Sequence, residues 1–252
     1  MNVSIIGSGN VASHFAPKLL AIGHRIDVVC SRNAEHAQRL ARRVAARYST
    51  NVADVCPTSD ICIIAVSDNA IEQVARQLTE FQGIVAHTSG ATDISALSPN
   101  KRCGVIYPCQ TFTSTDTIDF RDVPLFIEAT DETTYATLTD FARSLSYMVR
   151  RANSSQRAKI HVAAVVVSNF TNRLLCLAHD YLKRQDLPFD VFRPLVEQTV
   201  AKAFGMNPFE AQTGPARRGD TKTIERHFSL IDDPSLSTIY QTLSNDIKNA
   251  YN

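Results

Sequence analysis

Gly7 and Gly9, with Ala12 three positions on, stand directly after a short apolar run and directly before an amphipathic stretch. Glycines so placed let the backbone approach a pyrophosphate, while the first amides of the following helix meet its charge. The segment Gly7-Ser8-Gly9-Asn10-Val11-Ala12 therefore reads as a dinucleotide-binding turn, with Gly7, Ser8, Gly9, Asn10 and Val11 against the phosphates. NAD-binding chains carry a carboxylate at the end of the second strand, about 20 residues after the glycines, to hold the ribose hydroxyls. Asp27 has nearly that spacing, yet it lies between Ile26 and Val28, inside the strand. The strand instead ends in Cys30-Ser31-Arg32-Asn33. The hydroxyl of Ser31 and the guanidinium of Arg32 suit a 2′-phosphate, because arginine offers phosphate a two-pronged donor and no carboxylate repels it. The expected cofactor is NADP(H).

The remaining chemistry must come from loops at the carboxyl ends of the strands, where ligands of doubly wound sheets lie. Val66, Ser67 and Thr88 are expected beside the nicotinamide and its ribose, with Asp68, Ser89, Gly90, Gln110 and Thr111 close by. Asp68 also reads as a helix N-cap and Ser89 as a turn residue. From Val162 to Ala178 the chain is apolar on almost every helical side, so this helix is expected to be buried, yet His161, Ser168, Asn169 and Asn172 fall on one face of it. A polar stripe on a buried helix is either paired with neighbouring helices or lines a wet cavity. Hydride transfer to a carbonyl or imine needs a proton donor at the heteroatom, and His161 is the side chain best matched to neutral pH. Asn169 would orient the substrate, and Ser89 would bond the reacting group from the opposite wall. Lys159 is the substitute acid; two residues along a helix point about 160° to 200° apart, so Lys159 and His161 exclude each other. Arg157, Lys159, Arg217 and Arg218 either bind an anionic substrate or are solvated surface charge. No metal-ligand set is read.

Positioning these groups requires alternating strands and helices. Apolar runs at 3–6, 26–30, 61–66, 84–87 and 104–107 read as parallel strands, separated by helices at about 10–22, 33–46 and 69–80. Asn33 and Asp68 are placed as N-caps, and Gly23 and Gly83 just past helix ends. Pro17 should kink the first helix. A strand at 124–129, a helix at 132–145 and a strand at 147–151 extend the sheet at one edge. Beyond Asn153 only helices follow, at about 156–184, 189–204, 221–230 and 235–249, with Asp220 as an N-cap. The fold class is α/β: a doubly wound Rossmann domain over residues 1–153, then an all-helical substrate and dimerisation domain over 154–252.

The 252 residues carry a formal net charge of +1, so charge gives no reason to expect nucleic acid. Arg39, Arg42, Arg43 and Arg47 read as a solvated helix face. Cys30, Cys56, Cys62, Cys103, Cys109 and Cys176 form no C-x-x-C pair and read as reduced thiols. The N-terminus lacks a basic region followed by a long apolar run, and no later run is expected to reach membrane-span length. A soluble, cytoplasmic protein without membrane contact is expected, paired as a homodimer through the apolar surface of residues 162–178.

Three further segments carry a resemblance: His87-Thr88-Ser89-Gly90, Pro108-Cys109-Gln110-Thr111-Phe112, and Thr213-Gly214-Pro215-Ala216-Arg217-Arg218-Gly219-Asp220. Together with Gly7 to Ala12, Ser31-Arg32, His161-Val162-Ala163-Ala164 and Ser168-Asn169, they make the chain similar to Rossmann-like proteins carrying the domain of unknown function 2520. More widely it resembles the pyrroline-5-carboxylate reductases, the 6-phosphogluconate and β-hydroxyacid dehydrogenases and the deazaflavin-dependent NADP reductases. A histidine commonly precedes the proline of the second segment in the narrower family; here Tyr107 holds that place. The resemblance implies an NADP(H)-dependent oxidoreductase moving hydride between nicotinamide and a small carbonyl, imine or hydroxyl substrate in a cleft between the domains. The alternative is a catalytically silent NADP(H) sensor, favoured by the lack of an unambiguous acid–base pair in the sequence.

Overall fold

The computed structural model describes residues 1–55, 57–113 and 118–251. Cys56 lies outside them. Contacts divide the chain into two compact units, Met1–Ser168 and Asn169–Asn252.

The first unit is built on β1 (Asn2–Ile6), α1 (Asn10–Ala21), β2 (Arg25–Cys30), α2 (Ala34–Arg43), β3 (Arg47–Ser49), β4 (Ile61–Ile64), α3 (Asp68–Ala75), β5 (Ile84–His87), β6 (Cys103–Pro108), β7 (Leu125–Ala129), α4 (Glu132–Leu145), β8 (Val149–Arg151) and α5 (Ser154–Ala164). The strands form one sheet in the order β3-β2-β1-β4-β5-β6-β7-β8. The first six are parallel, while β7 runs antiparallel to β6 and parallel to β8. Strands buried on both faces need apolar side chains on both, which is why β4 reads Ile-Cys-Ile-Ile without alternation. One face packs Val3, Ile5, Ile61 and Ile63 against Phe15 and Leu19 of α1 and Leu138 and Phe141 of α4. The other packs Ile6, Cys62, Ile64 and Val85 against Ile71 and Ala75 of α3. Each fully buried Phe or Leu contributes roughly 1.5–3 kcal/mol. The order reverses between β1 and β4, which opens the crevice a dinucleotide needs above their carboxyl ends.

Several boundaries differ from expectation for local physical reasons. β3 was not expected: Arg47-Tyr48-Ser49 is a polar, largely exposed edge strand, so no apolar pattern announces it. It begins shortly after Ala45, whose φ of 50° helps turn the chain out of α2. The third helix ends at Ala75, not 80, so Gly83 caps nothing. Gly83 instead lets the chain pass the Ser59 and Asp60 carbonyl oxygens, which a Cβ would meet at 2.6 Å. Ser67, not Asp68, is the N-cap of α3; Asp68 is its first residue. Asn33 and Asp220 do cap, accepting from the backbone N–H of His36 and Thr223. α1 continues through Pro17 to Ala21. The first unit reaches past residue 153 because a capping box at Asn153 and Gln156 starts α5 and the buried Arg157 ties it to the sheet.

The expected helix over 156–184 runs from Ser154 to Arg184, with a π-helical stretch at Val165–Phe170 between α5 and α6 (Thr171–Arg184). Its expected burial is not met within one chain: Val167 is 69% and Phe170 57% exposed. Nor does the expectation of no membrane-length run hold, since this helix is long and apolar enough to cross a membrane by length and composition; core helices of soluble proteins share both properties. The second unit continues with α7 (Arg193–Gly205), α8 (Pro208–Ala211), α9 (Thr221–Leu230) and α10 (Pro234–Tyr251). Within it Phe209 stacks on Tyr251 at 4.1 Å, and Tyr240 packs edge-on against Phe228 while its hydroxyl meets His227 Nδ1 at 2.7 Å.

Cys30, Cys62 and Cys103 are buried free thiols, and Cys109 and Cys176 are half-buried and free. Burial pushes the Cys30 and Cys62 thiols up, and that of Cys103 up to about 11, so these three are poor nucleophiles.

Candidate active site

A cavity of about 560 Å³ opens at the carboxyl ends of β1, β2, β4 and β5. Gly7, Ser8, Gly9, Asn10, Val11, Ser31, Arg32, Val66, Ser67 and Thr88 all line it, so the ten residues expected from sequence to meet the cofactor converge on one space. Gly7 sits at φ 121°, and a Cβ there would overlap the Ala65 carbonyl oxygen. Only glycine lets the turn pass so close to β4. At Gly9 a Cβ would meet nothing within 4 Å, leaving the entrance to the helix open. Gly9 is also the N-cap of α1, with no side-chain cap and no acidic residue in the first turn. The first amides of α1 therefore keep their donors and the positive end of the helix dipole for an anion.

At the end of β2, Ser8 Oγ donates to Ser31 Oγ at 2.7 Å, joining the phosphate turn to the second strand. Arg32 is exposed and makes no ion pair among the described residues. Asp27 takes no part: its carboxylate accepts from Ser59 Oγ at 2.6 Å and pairs with Arg25, within the strand as the sequence implied. A free guanidinium beside a hydroxyl, without a carboxylate at the ribose position, fits a phosphorylated ribose. The Asn10 side chain turns elsewhere, donating from Nδ2 to the Phe112 carbonyl at 2.8 Å; it fastens the loop after β6 onto α1. Thr50, Asn51, Gln73 and Gln77 also line the cavity; Thr50 and Asn51 follow β3, Gln73 lies on α3 and Gln77 just beyond it, and none belongs to a motif the sequence shows.

Thr88 begins a tightly held loop. His87 Nδ1 accepts the Ser89 N–H at 3.1 Å, and Ser89 Oγ accepts the N–H groups of Ala91 and Thr92 at 3.1 and 2.9 Å. The turn reading of Ser89 is thus realised, with the hydroxyl proton left to donate. His87 has 0% exposure, and burial first, then the nearby Arg157 charge, pull its imidazole down to about 3, so it stays neutral as an acceptor. Arg157, expected as a substrate ligand or a surface charge, is neither. It is 1% exposed, donates from Nε to the Ser89 carbonyl at 3.1 Å and from its other nitrogens to Thr92 O and Glu128. Glu128 in turn accepts the Ser154 N–H and Oγ–H at 2.9 Å each. Arg217 is likewise engaged inside its own unit, donating to the Glu210 and Gln212 carbonyls and lying over the Tyr251 ring.

One turn beyond Arg157 on α5, His161 meets Tyr107 of β6, with Nδ1 3.2 Å from the hydroxyl and the rings edge to face. Residues four apart share a helix face, so both His161 and Arg157 turn toward the sheet while Lys159 is left exposed. Asn169 belongs to the second compact unit, in the π-helical stretch, and is exposed. The phase argument that put it on the face of His161 assumes 3.6 residues per turn, which a π-helical stretch does not keep. Tyr107, which stands where the resembled family carries a histidine, is buried, and desolvation raises its phenol above the ordinary tyrosine range. Two signs in the sequence mark it: its place at the carboxyl end of a strand and its position where the family carries a histidine. Among the described residues no group of three or more metal-ligating side chains occurs.

Residues 2–88 match the family described as NADP oxidoreductase, coenzyme F420-dependent, and residues 123–247 match the domain of unknown function 2520. A Bacteroides fragilis protein classed as an NADP oxidoreductase is 38% identical, with 98% of each chain covered and a TM-score of 0.92. The reductive aminase of Aspergillus terreus, solved with NADPH and ethyl levulinate, is 15% identical over 99% of this chain and 93% of its own, with a TM-score of 0.73. A pyrroline-5-carboxylate reductase of Coxiella burnetii is 16% identical over 98% and 96%, with a TM-score of 0.58. These last two share the fold. No curated protein matches the chain. At 38% identity over nearly the whole length, the chain belongs to the family of NADP oxidoreductases that join this Rossmann-like module to the domain of unknown function 2520.

Proposed function

We propose that the protein binds NADP(H) in the cavity above β1, β2, β4 and β5 and reduces the carbon–heteroatom double bond of a small carbonyl or imine compound, or oxidises the matching hydroxyl. The observation that carries this reading is the convergence of an uncapped helix N-terminus, a glycine turn and an unpaired Arg32 on that one cavity. When bound, the nicotinamide supplies or accepts the hydride. The backbone of Gly7 to Val11 holds the pyrophosphate, Ser31 and Arg32 hold the 2′-phosphate, and Val66, Ser67 and Thr88 border the nicotinamide end. His161 serves as the proton donor to the reacting heteroatom. Ser89 keeps a hydroxyl proton for the substrate, and Lys159 would replace His161 as the acid.

Replacing Arg32 by alanine removes a charge-assisted contact, and the expected loss is about 1.5–3 kcal/mol of NADPH affinity with NADH affinity spared. Calorimetric titration of the variant measures both, and equal losses would refute the 2′-phosphate assignment. The substrate is a small molecule; Arg157 is engaged by Glu128 and backbone carbonyls and Arg217 Nη1 by backbone carbonyls, which leaves the exposed Lys159 and Arg218 as the cations of that set open to an anionic group. Five described free thiols suit the reducing cytoplasm.

We propose further that the exposed apolar side of the long helix, Val162, Val166, Val167, Phe170 and Leu174, is covered by a second copy of the chain. Contiguous apolar patches of this kind are rare on monomers and mark interaction sites. Multi-angle light scattering at micromolar concentration is expected to give twice the 27.8 kDa chain mass, and a stable monomer would count against the pairing.

A further inference from the structure

The geometry points to Tyr107 as the positioning residue that fixes the imidazole of His161, so that Nε2 alone is presented for proton transfer. The inference rests on the reading of His161 as the proton donor, and it adds a residue and an atom to that reading.

Three observations carry it. The Tyr107 hydroxyl lies 3.2 Å from His161 Nδ1, so one ring nitrogen is partnered inside the first unit. His161 Nε2 has no hydrogen bond among the described residues and is not one of the buried unpartnered atoms, so it is the nitrogen open to a reactant. Gly90 fills the space beneath the pair: a Cβ there would stand 2.7 Å from both His161 Nδ1 and Tyr107 Cζ. Gly90 follows Thr88, which lines the cofactor cavity, by two residues, so the loop that borders the cavity also supports the dyad.

A phenol hydroxyl is both donor and acceptor, and this lets it serve the ring in either charge state. When the ring is neutral, Tyr107 O–H donates to Nδ1 and the ring hydrogen is confined to Nε2. When the ring is charged, Nδ1–H donates to the tyrosine oxygen and Nε2–H points outward. Transfer of the Nε2 proton to a developing alkoxide or amine leaves the ring transiently with its hydrogen on Nδ1, donated to Tyr107; a solvent proton at Nε2 restores the cation, and release of the Nδ1 proton from that cation returns the resting Nε2–H ring. Tyr107 itself keeps its proton throughout, because burial disfavours the phenolate.

The test needs no substrate. In protein labelled with nitrogen-15 histidine, at a pH where the ring is neutral, long-range proton–nitrogen correlation is expected to show a single tautomer for His161, protonated at Nε2. A phenol proton correlated with Nδ1 is expected as well. Tyr107→Phe keeps the ring stacking and removes the hydroxyl; the expected result is loss of that proton signal and convergence of the two nitrogen shifts toward an averaged ring, with NADPH affinity unchanged. Gly90→Ala leaves both functional groups in place and is expected to produce the same loss by wedging them apart. Identical imidazole spectra in wild type and Tyr107→Phe would overturn the proposal, and so would an averaged His161 ring in the wild-type protein, whatever the variants do. Failure of the wider reading would appear separately, as a His161→Ala variant with undiminished turnover.

Discussion

His161→Ala is expected to lower turnover by roughly 100-fold to 10,000-fold, the span seen on loss of a general acid, once a carbonyl or imine substrate is in hand. Hydride addition places negative charge on an oxygen or raises the basicity of a nitrogen, and a positioned imidazolium removes that cost in the transition state. NADP(H) affinity should be nearly unchanged, because His161 does not line the cavity that gathers the phosphate and ribose contacts. A drop in turnover with KM for the cofactor preserved is therefore the diagnostic pattern. Lys159 offers the control: it is exposed on the far side of the same helix, and Lys159→Ala should leave turnover within about twofold if His161 is the acid. Normal turnover in His161→Ala together with a collapse in Lys159→Ala would transfer the role to the lysine.

Arg157→Leu is expected to cost about 3–5 kcal/mol of unfolding free energy, the range for breaking one side of a buried ion pair. The guanidinium answers the Glu128 carboxylate and two backbone carbonyls, Ser89 O and Thr92 O, all at once. Its removal leaves Glu128, only 14% exposed at the side chain, without its counter-charge, and two loop carbonyls without donors. The same contacts shape the 88–92 loop, so this variant should also weaken the cavity wall at Thr88. Urea titration followed by circular dichroism measures the first effect. Arg157→Lys should recover part of the stability at most, since a single ammonium cannot reproduce the fork. A midpoint unchanged from wild type in Arg157→Leu would show that the network contributes little.

How far the sequence foretold these features depends on whether a feature is local. The Gly7-Ser8-Gly9 turn, the Ser31-Arg32 ending of β2 and the caps at Asn33 and Asp220 are set by a few neighbouring residues, and each is legible in the sequence alone. The buried parallel strands β1, β2, β4, β5 and β6 announce themselves through apolar runs, whereas β3, Arg47–Ser49, is polar because it lies at an edge and gives no such signal. The misreadings concern charge and partnership over long separations. Nothing near Arg157 in the chain hints that Glu128 and Ser89, 29 and 68 residues away, converge on it. An arginine at a helix start looks the same whether solvated or buried. The family comparison marks the Tyr107 position, but not its partner: His161 is 54 residues distant. The long helix posed a different problem: an all-round apolar pattern demands a covering surface, but not one from the same chain.

Titration calorimetry of the wild-type protein with NADPH and with NADH at one ionic strength asks whether the cavity selects a 2′-phosphorylated dinucleotide. One NADPH is expected to bind per chain, with affinity at least about tenfold above that for NADH, the equivalent of about 1.4 kcal/mol from the Ser31 and Arg32 contacts. Equal affinities, or no binding of either, would contradict it.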